Sequence, residues 1–123
     1  MSSFNENEGI DRIAGLFTLF SGENNVEKYM PLISLSIHEV ESGLKEDADT
    51  TDERLVFLCA SIANFHYTQI TAARDRTAFT QAGTAAKIHN GQQQYDFAYS
   101  LMRAYRASVK DLMRDEAFAF LNV

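Results

Sequence analysis

The amino-acid sequence predicts an all-α fold, a four-helix bundle-like domain with a β-hairpin or extended loop between its third and fourth helices, and three observations predict it. Apolar residues recur at steps of three and four over four stretches, near 9–20, 25–45, 51–74 and 92–114. The third stretch, TDERLVFLCASIANFHYTQITAAR, has an acidic start, a basic end and an apolar arc too wide for a helix with one wet face. After it, DRTAFTQAGTAAKIHN loses the helical period and gathers Thr and Gly.

Taken in order, Met1 to Glu8 reads as polar with nothing to bury and is expected to be frayed. Ile10, Ile13, Leu16, Phe17 and Phe20 then share one face of a first helix, which Ser21-Gly22 ends. Asn24 or Asn25 offers an N-cap for the second helix, where Val26, Met30, Ile33, Ile37, Val40 and Leu44 form a seam for a neighbour. Pro31 falls in its first two turns, where a missing N–H costs least. KEDADT, residues 45–50, is a charged loop leading to the third helix.

That helix carries Leu55, Leu58, Ile62, Phe65 and Gln69 on one face and Val56, Cys59, Ala63, His66 and Ile70 on the face beside it, so it is expected to be contacted on at least two sides. Over 75–91 a protruding β-hairpin is expected, with strands near 76–80 and 84–89 and turns at Gly83 and Asn90-Gly91; an irregular or partly helical loop is the alternative, because Ala82, Ala85 and Ala86 are poor strand formers. The fourth helix turns Tyr95, Ala98, Leu101, Met102, Tyr105, Val109, Leu112 and Met113 inward and Arg103, Arg106, Lys110 and Arg114 outward. Residues 115–123, ending in AFAFLNV, read as an extended tail.

A chain of 123 residues, 46% of them hydrophobic, supports one core and one domain. No apolar run approaches the ~18 residues of a membrane span, and the single Cys59 sits on an apolar face as a small hydrophobe, so a soluble cytoplasmic protein is expected. Charge is uneven. Residues 1–53 hold 12 acidic and 3 basic side chains, whereas residues 54–123 hold 5 acidic and 8 basic. Such asymmetry keeps loops soluble or steers head-to-tail association, and the overall net charge of -6 argues against tight nucleic-acid binding.

No catalytic, cofactor-binding or metal-binding residues are expected. His38 and His66 lack partners at ligand spacing and read as packing histidines, and His89 reads as solvent-facing. Glu39 and Glu41 point to different sides of their helix without an ExxH motif, which excludes a di-iron bundle. There is no phosphate loop, and a non-enzyme is expected. Phe57, Phe65, Tyr67, Phe97, Tyr99 and Tyr105 occur at helical spacing, yet Phe57, Tyr67 and Tyr99 fall off the main faces. Aromatic groups left outside a core anchor subunit interfaces, so a homo-oligomer is expected.

An apolar two-helix start, the central DERLVFLCASIANFHYTQI, an insert of about fifteen residues and the closing AYSLMRAYRASVKDL together resemble the head–tail connector (head-completion, adaptor) proteins of tailed bacteriophages and prophages. The resemblance covers Ile10 to Leu112 and lies in element order and texture. It implies a structural virion-assembly protein whose homo-oligomeric ring joins portal to tail and lets DNA pass. It also implies a site in the virion or the bacterial host cytoplasm, and portal and tail proteins as partners. The inter-subunit contact would then use Phe79, Thr80, Gln81, Gly83 and Lys87 of the insert; independently, head-to-tail association of the acidic half with the basic face of the last helix would place Arg103, Arg106, Lys110 and Arg114, one stripe at steps of three and four, at the contact. The alternative is a small helical protein-binding or regulatory module.

Overall fold

The computed structural model describes residues 2–77 and 84–115, with side chains described up to residue 74 and again from residue 91. Four α-helices form the domain: α1 (Asn7–Ser21), α2 (Met30–Gly43), α3 (Glu53–Thr77) and α4 (Thr84–Ser108). Short 3-10 turns precede α2 at Val26–Tyr29 and follow α4 at Lys110–Leu112. The all-α reading holds, and among the described residues the only extended pairing is a single antiparallel bridge between Leu44 and Met113.

The chain folds around α3. Every residue from Leu55 to Phe65 except the half-buried Phe57 is buried, which is what an apolar arc on more than one face requires. Its hydroxyls are satisfied within the helix, Ser61 Oγ donating to Leu58 O at 2.8 Å and Thr68 Oγ1 to Phe65 O at 2.8 Å. Helices α1 and α2 cover one side with Ile13, Phe17, Ile33 and Val40, and α4 covers the other with Ala98 and Met102. Ring contacts set the direction of α4: Phe65 meets Tyr95 and Tyr99, and Phe57 meets Tyr105, so α3 and α4 run antiparallel. At the end of α1, Phe17, Tyr29 and Tyr67 form an aromatic cluster, with Tyr67 edge-on to both neighbours at 5.8 and 5.1 Å.

Local signals explain the helix ends. Gly22 takes a left-handed φ of 78° and donates its N–H to Thr18 O, the glycine stop that Ser21-Gly22 announces. Pro31 stands in the first turn of α2, where no intrahelical donor is needed. After Gly43 the backbone turns extended; Lys45 N–H donates to Leu112 O at 3.0 Å and Arg114 N–H to Gly43 O at 2.9 Å, tying the end of α2 to the segment after α4. Arg54 fastens the start of α3 to the same place through Asp52, Asp111 and the Ser108 carbonyl, and it holds both carboxyls below the usual carboxylate range.

Three expectations are corrected. The hairpin is replaced by helix where it can be compared: Arg76 and Thr77 belong to α3 and Thr84 to His89 to α4, while residues 78–83 lie outside the described residues. Ala85, Ala86 and Lys87 are strong helix formers, and the helix runs on through Asn90-Gly91 despite their turn preference. The fourth helix ends at Ser108 rather than near 114, because the chain leaves helical geometry to form the bridge to Leu44.

Thirdly, the first residues are docked, not frayed. Phe4 is 1% exposed, its N–H donates to Thr50 O at 3.0 Å, and Ser3 pairs with the Thr50 hydroxyl at 2.7 Å. Gly9 makes this possible, since a Cβ there would lie 2.4 Å from the Phe4 carbonyl oxygen. The tail at 116–123 lies outside the described residues.

Candidate functional site

Among the described residues the α4 backbone comes close only to α3 and the turn after α4 itself. Helix α1 reaches α4 through side chains, as where Phe20 stacks on Tyr105 at 6.3 Å. A groove therefore runs between α1 and α4 with α3 as its floor. It holds a cavity of about 360 Å3, walled by Phe20 and Ser21 at the end of α1, floored by Asn64, Tyr67 and Thr68, and flanked by Gln93, Gln94 and Phe97 of α4.

Two features of this cavity are unusual for a core boundary. Phe97 is 63% exposed, although a phenyl ring is among the most costly groups to leave in water. Asn64 is 2% exposed, and its buried Oδ1 has no hydrogen-bond partner among the protein groups. Beside them Tyr67 donates its hydroxyl to Glu23 Oε1 at 2.5 Å; burial and this bond push its pKa well up, so it stays a neutral donor.

On the other side of α3 lies a polar strut. His66 Nε2 is 2.9 Å from Glu39 Oε1 on α2, and its Nδ1 is 3.1 Å from Gln69 Oε1. Both neighbours accept, so the protonated imidazolium donates at both nitrogens, and the bond to Glu39 raises the pKa above its ordinary 6.5. His66 is thus a partly buried histidine satisfied at both nitrogens, and it pairs with Glu39 as an ion when protonated, while His38 is exposed. Because the folded-state pKa is the higher one, the strut's contribution is complete below about pH 6.5 and fades as pH rises through the raised value. His66→Gln should therefore cost most stability near pH 6 and progressively less towards roughly pH 9, measured as parent-minus-variant urea midpoints. A difference that is flat across this range would remove the ion pair from the account.

The sequence-predicted contact residues are scattered. Phe79, Thr80, Gln81 and Gly83 lie outside the described residues, and Lys87 falls in α4 with its side chain likewise outside them. Arg103 and Arg106 share the last turns of α4; Arg103 lies 5.6 Å from the Tyr99 ring, and Arg106 is half-buried. Lys110 is exposed in the 3-10 turn, and Arg114 leaves the stripe, donating from its guanidinium to the Ser42 carbonyl at the end of α2. Of the aromatics expected off the main faces, Tyr67 is buried and Phe57 and Tyr99 are half-buried against Tyr105 and Phe65. Among the described residues the exposed ring is Phe97, which is absent from the inward set of the fourth helix.

Among the described residues no three His, Cys, Asp or Glu side chains converge on a point that could hold a metal, and no helix is long and apolar enough to cross a membrane. Cys59 is buried, and burial with Glu41 and Glu39 nearby pushes its thiol pKa well up, away from nucleophilic use. Comparison with protein-family models, curated proteins and solved structures finds no match to this chain.

Proposed function

We propose that the chain is a small helical protein-interaction module without catalytic activity, and that the groove between α1 and α4 is its working face. One observation carries this reading: an exposed Phe97 stands at the rim of a cavity whose floor holds the unpartnered, buried oxygen of Asn64. A large ring on a rim and an unmet acceptor beneath it are what a docking partner completes, since interfaces use aromatic anchors around a few placed polar groups.

The connector reading drew its contact surfaces from a hairpin over 75–91 and a basic stripe reaching Arg114. With Thr84–His89 helical and Arg114 bound at the end of α2, those surfaces give it less support than the groove gives the module.

A photo-cross-linking phenylalanine analogue placed at position 97 tests the proposal in producing cells. It should yield discrete adducts mapped by mass spectrometry to one defined surface, whereas the same analogue at Leu35, 44% exposed on α2, should not. Equal and diffuse labelling from both positions would end the proposal.

A further inference from the structure

We propose that the occupant of the cavity is a second copy of this chain, joined about a twofold axis so that Phe97 of each copy seats in the cavity of the other. The inference rests on the interaction-module reading and names its partner. Knob and hole stand side by side on one face, and a twofold operation brings each knob onto the other hole and closes the assembly at two. The space suffices: about 150 Å3 holds a benzene ring, and this cavity offers about 360 Å3.

The hydrogen-bonding groups match themselves in the same way. Asn64 Oδ1 needs a donor, and Gln93 and Gln94, exposed on the same rim and one turn before Phe97 on α4, carry amide N–H groups into the facing cavity as the ring enters it.

Charge selects a second copy over a charged partner. The chain carries -6, so most faces of two copies repel. Every described residue lining this cavity is uncharged, and the charged neighbour Glu23 stands beside it as the acceptor of the Tyr67 hydroxyl. Two copies can meet here over uncharged linings, and a strongly charged partner would find no charged group in the described lining to pair with.

Sedimentation equilibrium of the purified chain, with isotope-filtered NOE spectra on a mixture of 13C-labelled and unlabelled copies, tests this. A dimer is expected, with intermolecular NOEs from the Phe97 ring to Phe20 and Asn64. Phe97→Asp should weaken it about 30-fold or more, the loss of one anchor residue. Asn64→Leu should weaken it about 10-fold while leaving the monomer at least as stable, since it removes a buried unpaired acceptor. Three results would overturn the inference: a parent chain still monomeric at roughly 1 mM, a dimer unaffected by Phe97→Asp, or intermolecular NOEs arising from another face. A monomeric parent whose position-97 cross-links map to one surface of a different protein defeats self-docking and leaves the module standing; a monomeric parent with only diffuse labelling defeats both.

Discussion

Ile62→Ala should lower the unfolding free energy by about 2–5 kcal/mol, and Phe65→Ala by about 3–5 kcal/mol. Both side chains lie on the most enclosed part of α3; Ile62 is fully buried and Phe65 packs on Tyr95 and Tyr99 of α4. Truncation removes apolar area from the core and leaves a hole that helices on two sides cannot both relax to fill. Ile70 is the internal control. It belongs to the same helix but is 46% exposed, so Ile70→Ala should cost under about 1 kcal/mol. Urea denaturation of the three variants checks this, and equal losses at positions 62 and 70 would contradict a central α3.

Gly9→Ala should destabilise by about 2–4 kcal/mol, approaching the ~3–5 kcal/mol of Phe4→Ala. The sign is the informative part, because Gly-to-Ala inside a helix ordinarily stabilises by about 0.5–1 kcal/mol. At Gly9 the new Cβ would run into the Phe4 backbone, so the segment carrying Phe4 must lift and its ring must leave the core. At Gly15, in the same helix, a Cβ meets nothing within 4 Å, and Gly15→Ala should show the ordinary gain. Thermal melts of the two variants should therefore move in opposite directions. A gain at both positions would mean that the first residues are not docked.

The helices were legible because their signal is periodic and long. The wide arc of α3 named the helix that others surround, and Ser21-Gly22 and Pro31 marked ends that depend on local backbone geometry. What escaped reading depends on distant partners. Phe4 sits in a polar stretch, and only the Thr50 carbonyl and the bare face of Gly9 explain its burial. Threonines after Arg74 suggested strands, but Thr84–His89 are helical, as the helix propensity of Ala85, Ala86 and Lys87 favours. Arg114 continued a spacing of three and four that the chain abandons after Ser108 in favour of the bridge to Leu44. For the candidate site, Phe97 carried a signal, since it falls outside the inward set of α4, whereas the unmet oxygen of Asn64 is invisible until three helices have been assembled.

The central claim is that the core is complete without Phe97, which the fold leaves free for docking. Equilibrium unfolding of Phe97→Asp at concentrations dilute enough to keep the chain dissociated tests it most directly. The unfolding free energy should stay within about 0.5 kcal/mol of the parent, as for any exposed site. A loss of several kcal/mol, comparable to Ile62→Ala, would place Phe97 in the core and contradict the account.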